Sequence, residues 1–334
     1  MSVRRELPDH ASAGSPFLVE VVATNDRPRL GSWAIAVQDN ITLVNATTQD
    51  YSTKVEVLIP HVAPRDSSRT NYRCVLNRRG LYRLGPLRIS TRFPLGLLRG
   101  SLISQQETEF IVWPRIGRLT QRWTRVVESG TFGDQHSMHR QGFVENGEYY
   151  GVREWRPGDS RRWIHWRTSA KLGALAVRQF EQQRNRDLAI VLDLWQPNDP
   201  TPEDLNHVEV AVGFVATIVA NSCRQGGKNL SVALAGDVKR ICSGSSSYML
   251  MRELLDDMAL IGATRDNGLR QLFSELLDEM SAGARLITIS TRTADAVELD
   301  FNGAEPWKDA ALRQMTWFNV SHNEHSHVFQ WSDE

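Results

Sequence analysis

Apolar and polar positions follow two rhythms along this chain, and the change between them falls near residue 188. From Pro16 to about Trp113, short runs rich in Val, Ile, Leu and Trp recur, among them FLVEVVATN, SWAIAVQD, KVEVLIP and FIVWPR. Polar or Pro/Gly clusters separate them at the spacing of antiparallel strands. Gly80 and the pair Gly85-Pro86 punctuate further strands, and Pro94 with Gly96 marks a tight turn. The pattern predicts an N-terminal antiparallel β-sandwich over residues 12–115.

From Leu188 strands and helices alternate. LAIVLDL is continuously apolar, as in a strand covered on both faces. A helix follows with its own start chemistry: Thr201 as N-cap, Pro202 at the first helical position and Asp204 in the first turn. Leu205, Val208, Val212, Val215 and Val219 then recur at helical spacing. NLSVALAG predicts the next strand. Helices are expected over 248–261 and 268–282, the second stopped by Gly283, before the strand ARLITIS. Strand, helix, strand, helices, strand implies a parallel or mixed sheet with helices on both faces, an α/β domain over 188–334.

Between these halves, residues 116–187 form a linker and an Arg/Trp-rich segment. ESGTFGDQHSMHRQGFVENG is polar, and order is expected to begin at Glu148. GEYYGVREW alternates as a strand, and RPGD puts Pro157 and Gly158 at the centre of a type II turn. Asp159 or Ser160 is placed to cap a helix through SRRWIHWRTSAKLG, with Trp163, Ile164, Arg167 and Ala170 near one face and Gly173 ending it. ALAVRQFEQ returns as a strand. The segment reads as a clasp at the entrance of the α/β domain.

Composition restricts the possible functions. The 334 residues are 41% hydrophobic and 23% charged, a globular balance long enough for two cores. The net charge of zero hides a polarity: residues 65–190 hold 23 basic and 11 acidic groups, and residues 191–334 hold 11 and 21. Such neighbouring blocks are expected to neutralise each other. Cys74, Cys223 and Cys242 lack the paired spacing of a zinc site and fit a reducing, cytoplasmic setting. The start MSVRRELPDH is unlike a signal peptide, and the apolar run 211–220 is shorter than a bilayer span.

Chemistry in the clasp admits three readings. Arg153, Arg156, Arg161, Arg162, Arg167 and Arg178 stand near Glu148, Glu154, Asp159 and Glu181, and planar guanidinium groups suit carboxylates, within the chain or on a protein partner. Arg with aromatics also suits polyanions, which makes nucleic-acid binding the alternative, without any known nucleic-acid module behind it. His165 is the centre of a hydrolase reading that has neither a nucleophile-elbow nor a Walker motif to support it. In the tail, His322, His325 and His327 have a spacing that suits a transition metal, and a mobile polar tail is the expectation.

NRRGLYRLGPLRISTRFPLGLLRG (77–100) and GEYYGVREWRPGDSRRWIHWRTSAKLGALAVRQFE (147–181) resemble the two signatures of domain-of-unknown-function family 58. The resemblance implies a multidomain β plus α/β fold: an Ig-like sandwich, the signature segment and a von Willebrand factor A-like, Rossmann-like domain. It implies no catalytic activity, and work with MoxR-type AAA+ ATPases in protein assembly or quality control. Relatives usually begin with two membrane helices, and this chain starts where those would end. It is therefore expected to be either a cytoplasmic variant or a membrane-associated protein with a truncated start.

A-like domains of the adhesion type hold Mg²⁺ through Asp-x-Ser-x-Ser plus a later Thr and Asp. Here Asp193 remains, Trp195 and Pro197 replace the serines, Thr291 falls where the later Asp would, and Thr264 offers one oxygen. A vestigial metal position and no cofactor are expected. The expected function is non-enzymatic protein binding, with Arg153, Arg156, Asp159, Arg161, Arg162, Trp163 and Arg167 as the contact surface.

Overall fold

A computed structural model describes residues 1–44, 52–93, 100–129, 148–156, 161, 164–181, 187–266, 268–281, 283–297 and 306–332. Its N-terminal half is built from β1 (Ser2–Glu6), β2 (Ala11–Ser12), β3 (Pro16–Thr24), β4 (Ser32–Leu43), β5 (Ser52–Val62), β6 (Ser67–Val75), β7 (Gly80–Leu84), β8 (Leu87–Thr91), β9 (Gly100–Ser104) and β10 (Thr108–Trp113). β1, β3 and β6 form one antiparallel sheet. The other sheet runs β2-β10-β7-β4-β8-β9, with β5 also paired to β4. The first strand, Ser2–Glu6, lies ahead of residue 12 and pairs with β3. The expected tight turn at Pro94 and Gly96 lies outside the described residues.

Alternation decides which face of each strand is buried. Val19, Val21 and Ala23 of β3 meet Ile35, Val37 and Ile41 of β4, with Leu84 and Val112, in one cluster shared by both sheets. A buried polar bolt crosses this core. Arg5 grips Asp39 with two hydrogen bonds, at 2.8 Å and 2.5 Å, and the Tyr72 hydroxyl donates to Asp39 at 2.7 Å. Burial, and then the hydrogen bond to Asp39, pushes the Tyr72 pKa far up. The bolt joins β1 and β6 of one sheet to β4 of the other.

The second half contains β11 (Arg118–Leu119), α1 (Gln121–Ser129), β12 (Glu148–Glu154), α2 (Trp166–Leu172), β13 (Ala176–Glu181), β14 (Leu188–Asp193), α3 (Pro202–Gln225), β15 (Asn229–Ala235) and β16 (Lys239–Ser245). It continues with α4 (Tyr248–Leu260), α5 (Leu269–Glu279), β17 (Arg285–Ser290), α6 (Pro306–Arg313), β18 (Thr316–Asn319) and β19 (Phe329–Gln330). The main sheet has the order β16-β15-β14-β17-β18. Its pairs are parallel except β15 with β16.

Both faces of this sheet are covered. Leu188, Ile190 and Leu192 of β14 pack with α3 and α4, while Ala189 and Val191 pack with α5. The start of α3 follows its sequence: the Thr201 hydroxyl accepts from Asp204 N at 3.2 Å and the Asp204 carboxylate accepts from Thr201 N at 2.9 Å. α3 is 24 residues long with a hydropathy of 1.2 over its most apolar stretch, enough by length and composition to cross a bilayer, and 72% of that stretch is buried inside the fold. α5 ends at Glu279, with Met280 already extended and Gly283 in left-handed backbone at φ 96°. The helix expected to run through residue 282 is thus shorter.

Residues 116–129, assigned to the linker on sequence, pack into the α/β core. β11 pairs with β19, and Trp123 of α1 meets Phe214 of α3 edge-on at 5.7 Å. The tail is ordered, which corrects the expectation of a mobile one. His325 lies near the rings of Phe214 and Phe329, while His322 pairs with Asn319 at 2.8 Å. His327 passes its carbonyl to the Thr120 hydroxyl at 2.8 Å. These three histidines serve separate contacts, and among the described residues no cluster of His, Cys, Asp and Glu forms a metal-binding group.

The two halves are docked. Trp113 at the end of β10 lies in the core of the second half and donates from Nε1 to Asp256 at 2.7 Å. Arg79, with its side chain buried, pairs with Glu209 of α3 and donates to Ile261 O at the end of α4 at 2.8 Å. A basic side chain on a helix's last carbonyls offsets the negative end of its dipole. Arg79–Glu209 is also a direct link between the basic central block and the acidic C-terminal one.

Candidate functional site

The clasp is a β-ribbon carrying a short helix. β12 and β13 pair antiparallel from Glu148↔Glu181 to Glu154↔Ala176, with an irregularity between Tyr149 and Gly151. α2 spans only Trp166–Leu172, because Ile164 is held extended in a bridge to Val177. This corrects the longer helix expected from Asp159 or Ser160. His165 is the N-cap: its Nδ1 accepts from Thr168 N at 3.2 Å and lies 2.7 Å from the Thr168 hydroxyl. Gly173 ends the helix in left-handed backbone at φ 66°, as its sequence position predicts.

Inside the clasp, Ile164 of the expected packed face is buried, and Ser169 is a buried contact that was not expected. Its hydroxyl donates to His165 O at 3.1 Å and accepts from Ala176 N at 2.9 Å. Arg167 and Ala170, expected on the packed face, are exposed. So are Arg156 and Arg161, whereas Arg153 is half-buried and donates to Glu154 O at 3.0 Å. Asp159, Arg162 and Trp163 lie outside the described residues, as does the expected turn at Pro157 and Gly158. Large apolar groups that were not singled out stand beside these cations: Trp166 is 68% exposed, and Leu172 and Leu175 are exposed as well. Their signal in the sequence was their place within and just after a seven-residue amphipathic helix that is too short to bury two faces.

A second constellation lies where the sheet reverses direction. β14 connects onward to β15 on one side while β17 continues to β18 on the other, and ligands of such sheets bind beyond the carboxyl ends at that point. There Asp193 is buried. Arg292 donates to it from Nε at 2.8 Å and from Nη2 at 3.3 Å, and the Ser290 hydroxyl donates at 2.8 Å. The guanidinium carbon of Arg292 lies 5.8 Å from the centre of the Trp195 ring. Trp317 donates to Arg292 O at 3.1 Å. Thr291 turns away from the carboxylate and donates to Trp195 O at 2.5 Å, while the Thr264 hydroxyl accepts from Asp266 N at 3.1 Å.

Sequence reasoning found Asp193 and missed Arg292, whose only signal was a lone Arg just past a buried strand. Along β16 and α4, an open groove of about 630 Å³ is walled by Arg240, Met249, Glu253 and Asp257. Arg240 already bridges Glu253 and Asp257 there. Burial pushes the Cys242 thiol beside it up to about 11.

The model of a family described as Protein of unknown function DUF58 matches residues 151–306, from the first strand of the clasp to the start of α6. Uncharacterized protein YeaD of Bacillus subtilis (strain 168) is 24% identical over 185 residues, which cover 54% of this chain and 43% of that protein. The match thus spans less than half the length of this curated relative. A beta-glucosidase from Listeria innocua in complex with glucose shares 15% identity at a TM-score of 0.22, over 33% of this chain and 16% of its own. The CARDB domain of PF1109 from Pyrococcus furiosus shares 13% at 0.22, over 33% and 90%. Likeness at these TM-scores carries no argument about function.

Proposed function

We propose that this chain is a non-enzymatic protein-binding module that docks a partner through the exposed face of its clasp, the partner being a MoxR-type AAA+ ATPase in protein assembly or quality control. One observation carries the reading. Trp166, Arg167 and Leu172 are all exposed on one short helix, and Arg156 and Arg161, which precede it in the chain, are exposed as well. Trp and Arg dominate interface hot spots because large rigid or planar groups gain contact at modest entropy cost. The antiparallel pairing and shared core of the N-terminal sheets support an Ig-like sandwich. The order β16-β15-β14-β17-β18 with one antiparallel edge supports a von Willebrand factor A-like domain.

The residues do not fit the Mg²⁺ of adhesion-type A domains. Arg292 takes both Asp193 oxygens, and the serine positions carry Trp195 and Pro197. The one carboxylate of the set is already engaged by a guanidinium, so no step is assigned to a metal. The test is capture of a purified MoxR-type ATPase by variants Trp166→Ala and Arg156→Ala, paired with thermal melts. Each should weaken capture by about 1–2 kcal/mol with little change in melting. Normal capture with a collapsed melting temperature would make the clasp internal scaffolding.

A further inference from the structure

Three chain segments meet at one end of the N-terminal half: the loop between β3 and β4, the loop between β5 and β6, and the residues that follow β8. Buried Asn25 ties the first two, donating to Leu30 O at 2.8 Å and to Val62 O and Ala63 O at 3.3 Å and 3.2 Å. Arg65 N donates to Arg27 O at 3.1 Å, and the Thr91 hydroxyl donates to Trp33 O at 2.8 Å. The tip is therefore built, with its loops fixed to one another.

Its surface is apolar where solvent-facing loops are ordinarily polar. Leu30 is 66% exposed, Phe93 53% and Trp33 47%. Trp33 shares strand parity with the buried Ile35 and Val37, yet it faces out. The alternation breaks at Ala34, which has a φ of 48°, a left-handed conformation that alanine seldom adopts. Cations surround the apolar group: Arg27, Arg29, Arg65 and Arg92 are all exposed. Of the two acids in these loops, Asp26 lies 3.5 Å from the N-terminal amine and Asp66 accepts from Ser67 N.

We infer that this tip docks on an anionic lipid bilayer, with Leu30, Trp33 and Phe93 entering the headgroup boundary and the four arginines meeting lipid phosphates. Trp prefers that depth because its ring is apolar with one polar edge, and each Arg gains from the negative surface. Trp33 packs against His61 at 3.9 Å and lies 6.0 Å from Phe93, so the exposed apolar group is one continuous patch and not a set of separate stacking platforms. Exposed Leu30 gains from acyl chains and nothing from phosphates.

The test is sedimentation of the full chain with vesicles of phosphatidylcholine alone, or with one third phosphatidylglycerol. Binding to the anionic vesicles only, weakened by salt, is expected. The double variant Trp33→Ser/Phe93→Ser should lose at least about tenfold in partitioning. Arg27→Glu/Arg29→Glu, confined to an exposed loop and so safe for folding, should lose more than about fivefold. No pelleting with anionic vesicles overturns the inference. So does equal binding to both vesicle types, or binding that both variants leave intact, which would place the contact elsewhere, as on the clasp. Binding of a single-stranded oligonucleotide that depends on Trp33, in place of vesicles, overturns it in favour of nucleic acid. Capture of the ATPase is read separately, on the Trp166 and Arg156 variants, so a failure of either reading is distinguishable from a failure of the other.

Discussion

Removing Arg292 should cost this protein more than removing the whole ion pair to which it belongs. Arg292→Ala leaves the buried Asp193 with the Ser290 hydroxyl as its remaining side-chain donor among the described residues. The side chains of the pair are 8% and 2% exposed, so solvent cannot substitute for the lost guanidinium. Breaking a buried pair from one side costs about 3–5 kcal/mol, and the surviving Ser290 bond favours the lower figure. At about 2–4 °C per kcal/mol for a domain of this size, the melting temperature should fall by roughly 10 °C. The double variant Asp193→Asn/Arg292→Met removes both charges and keeps an apolar stem beside Trp195, so it should recover most of that loss. Calorimetry on the parent, the single and the double variant decides it. A single variant that melts with the parent, or a double that melts no higher than the single, would refute the reasoning. Mg²⁺ should leave the parent's melting temperature unchanged, and an Asp193-dependent rise would refute it as well.

Three further outcomes follow from other contacts. Burial, with a smaller contribution from His207, holds the His325 pKa below its ordinary 6.5, so the unfolded chain takes up the proton first. Stability should be level above pH 6.5 and fall as the pH drops below it, and His325→Gln should flatten that slope in denaturant titrations. Burial pushes the Cys74 and Cys242 thiols up to about 11, so alkylation by iodoacetamide should be slow at neutral pH and rise about tenfold per unit between pH 7 and 9. Gly213→Ala places a methyl against the Trp331 ring and 3.1 Å from Arg115 O, which should cost about 1–3 kcal/mol in urea unfolding.

What the sequence disclosed was periodicity and local start signals. β14 could be read because every residue of LAIVLD is buried, and α3 because Thr201, Pro202 and Asp204 are each matched to their position. β16 was missed because KRICSGS is an edge strand with one covered face, and its polar residues resemble a loop. The tail was misjudged for a related reason. SHNEHSHVFQW looks polar, yet Val328 and Phe329 are buried against residues that lie two hundred positions earlier, and such pairing leaves no periodic trace. In the clasp, the Arg/Trp chemistry was visible, while the roles of His165 as a helix cap and Ser169 as a buried tie needed the backbone. Arg292 needed it most, since only the sheet brings it to Asp193.

The pairing of β11 with β19 sets an order on biosynthesis. The N-terminal sheets are closed by partners no later than Trp113, so they can form while the ribosome is still making the rest of the chain. The α/β half has no such freedom. Phe214, Phe318 and Trp123 stay uncovered on one side until Val328, Phe329 and Trp331, some two hundred positions after Trp123, arrive. A ribosome stalled before Val328 would leave a finished first half joined to a second half with an open aromatic core, a product suited to aggregation and to recognition by chaperones or proteases.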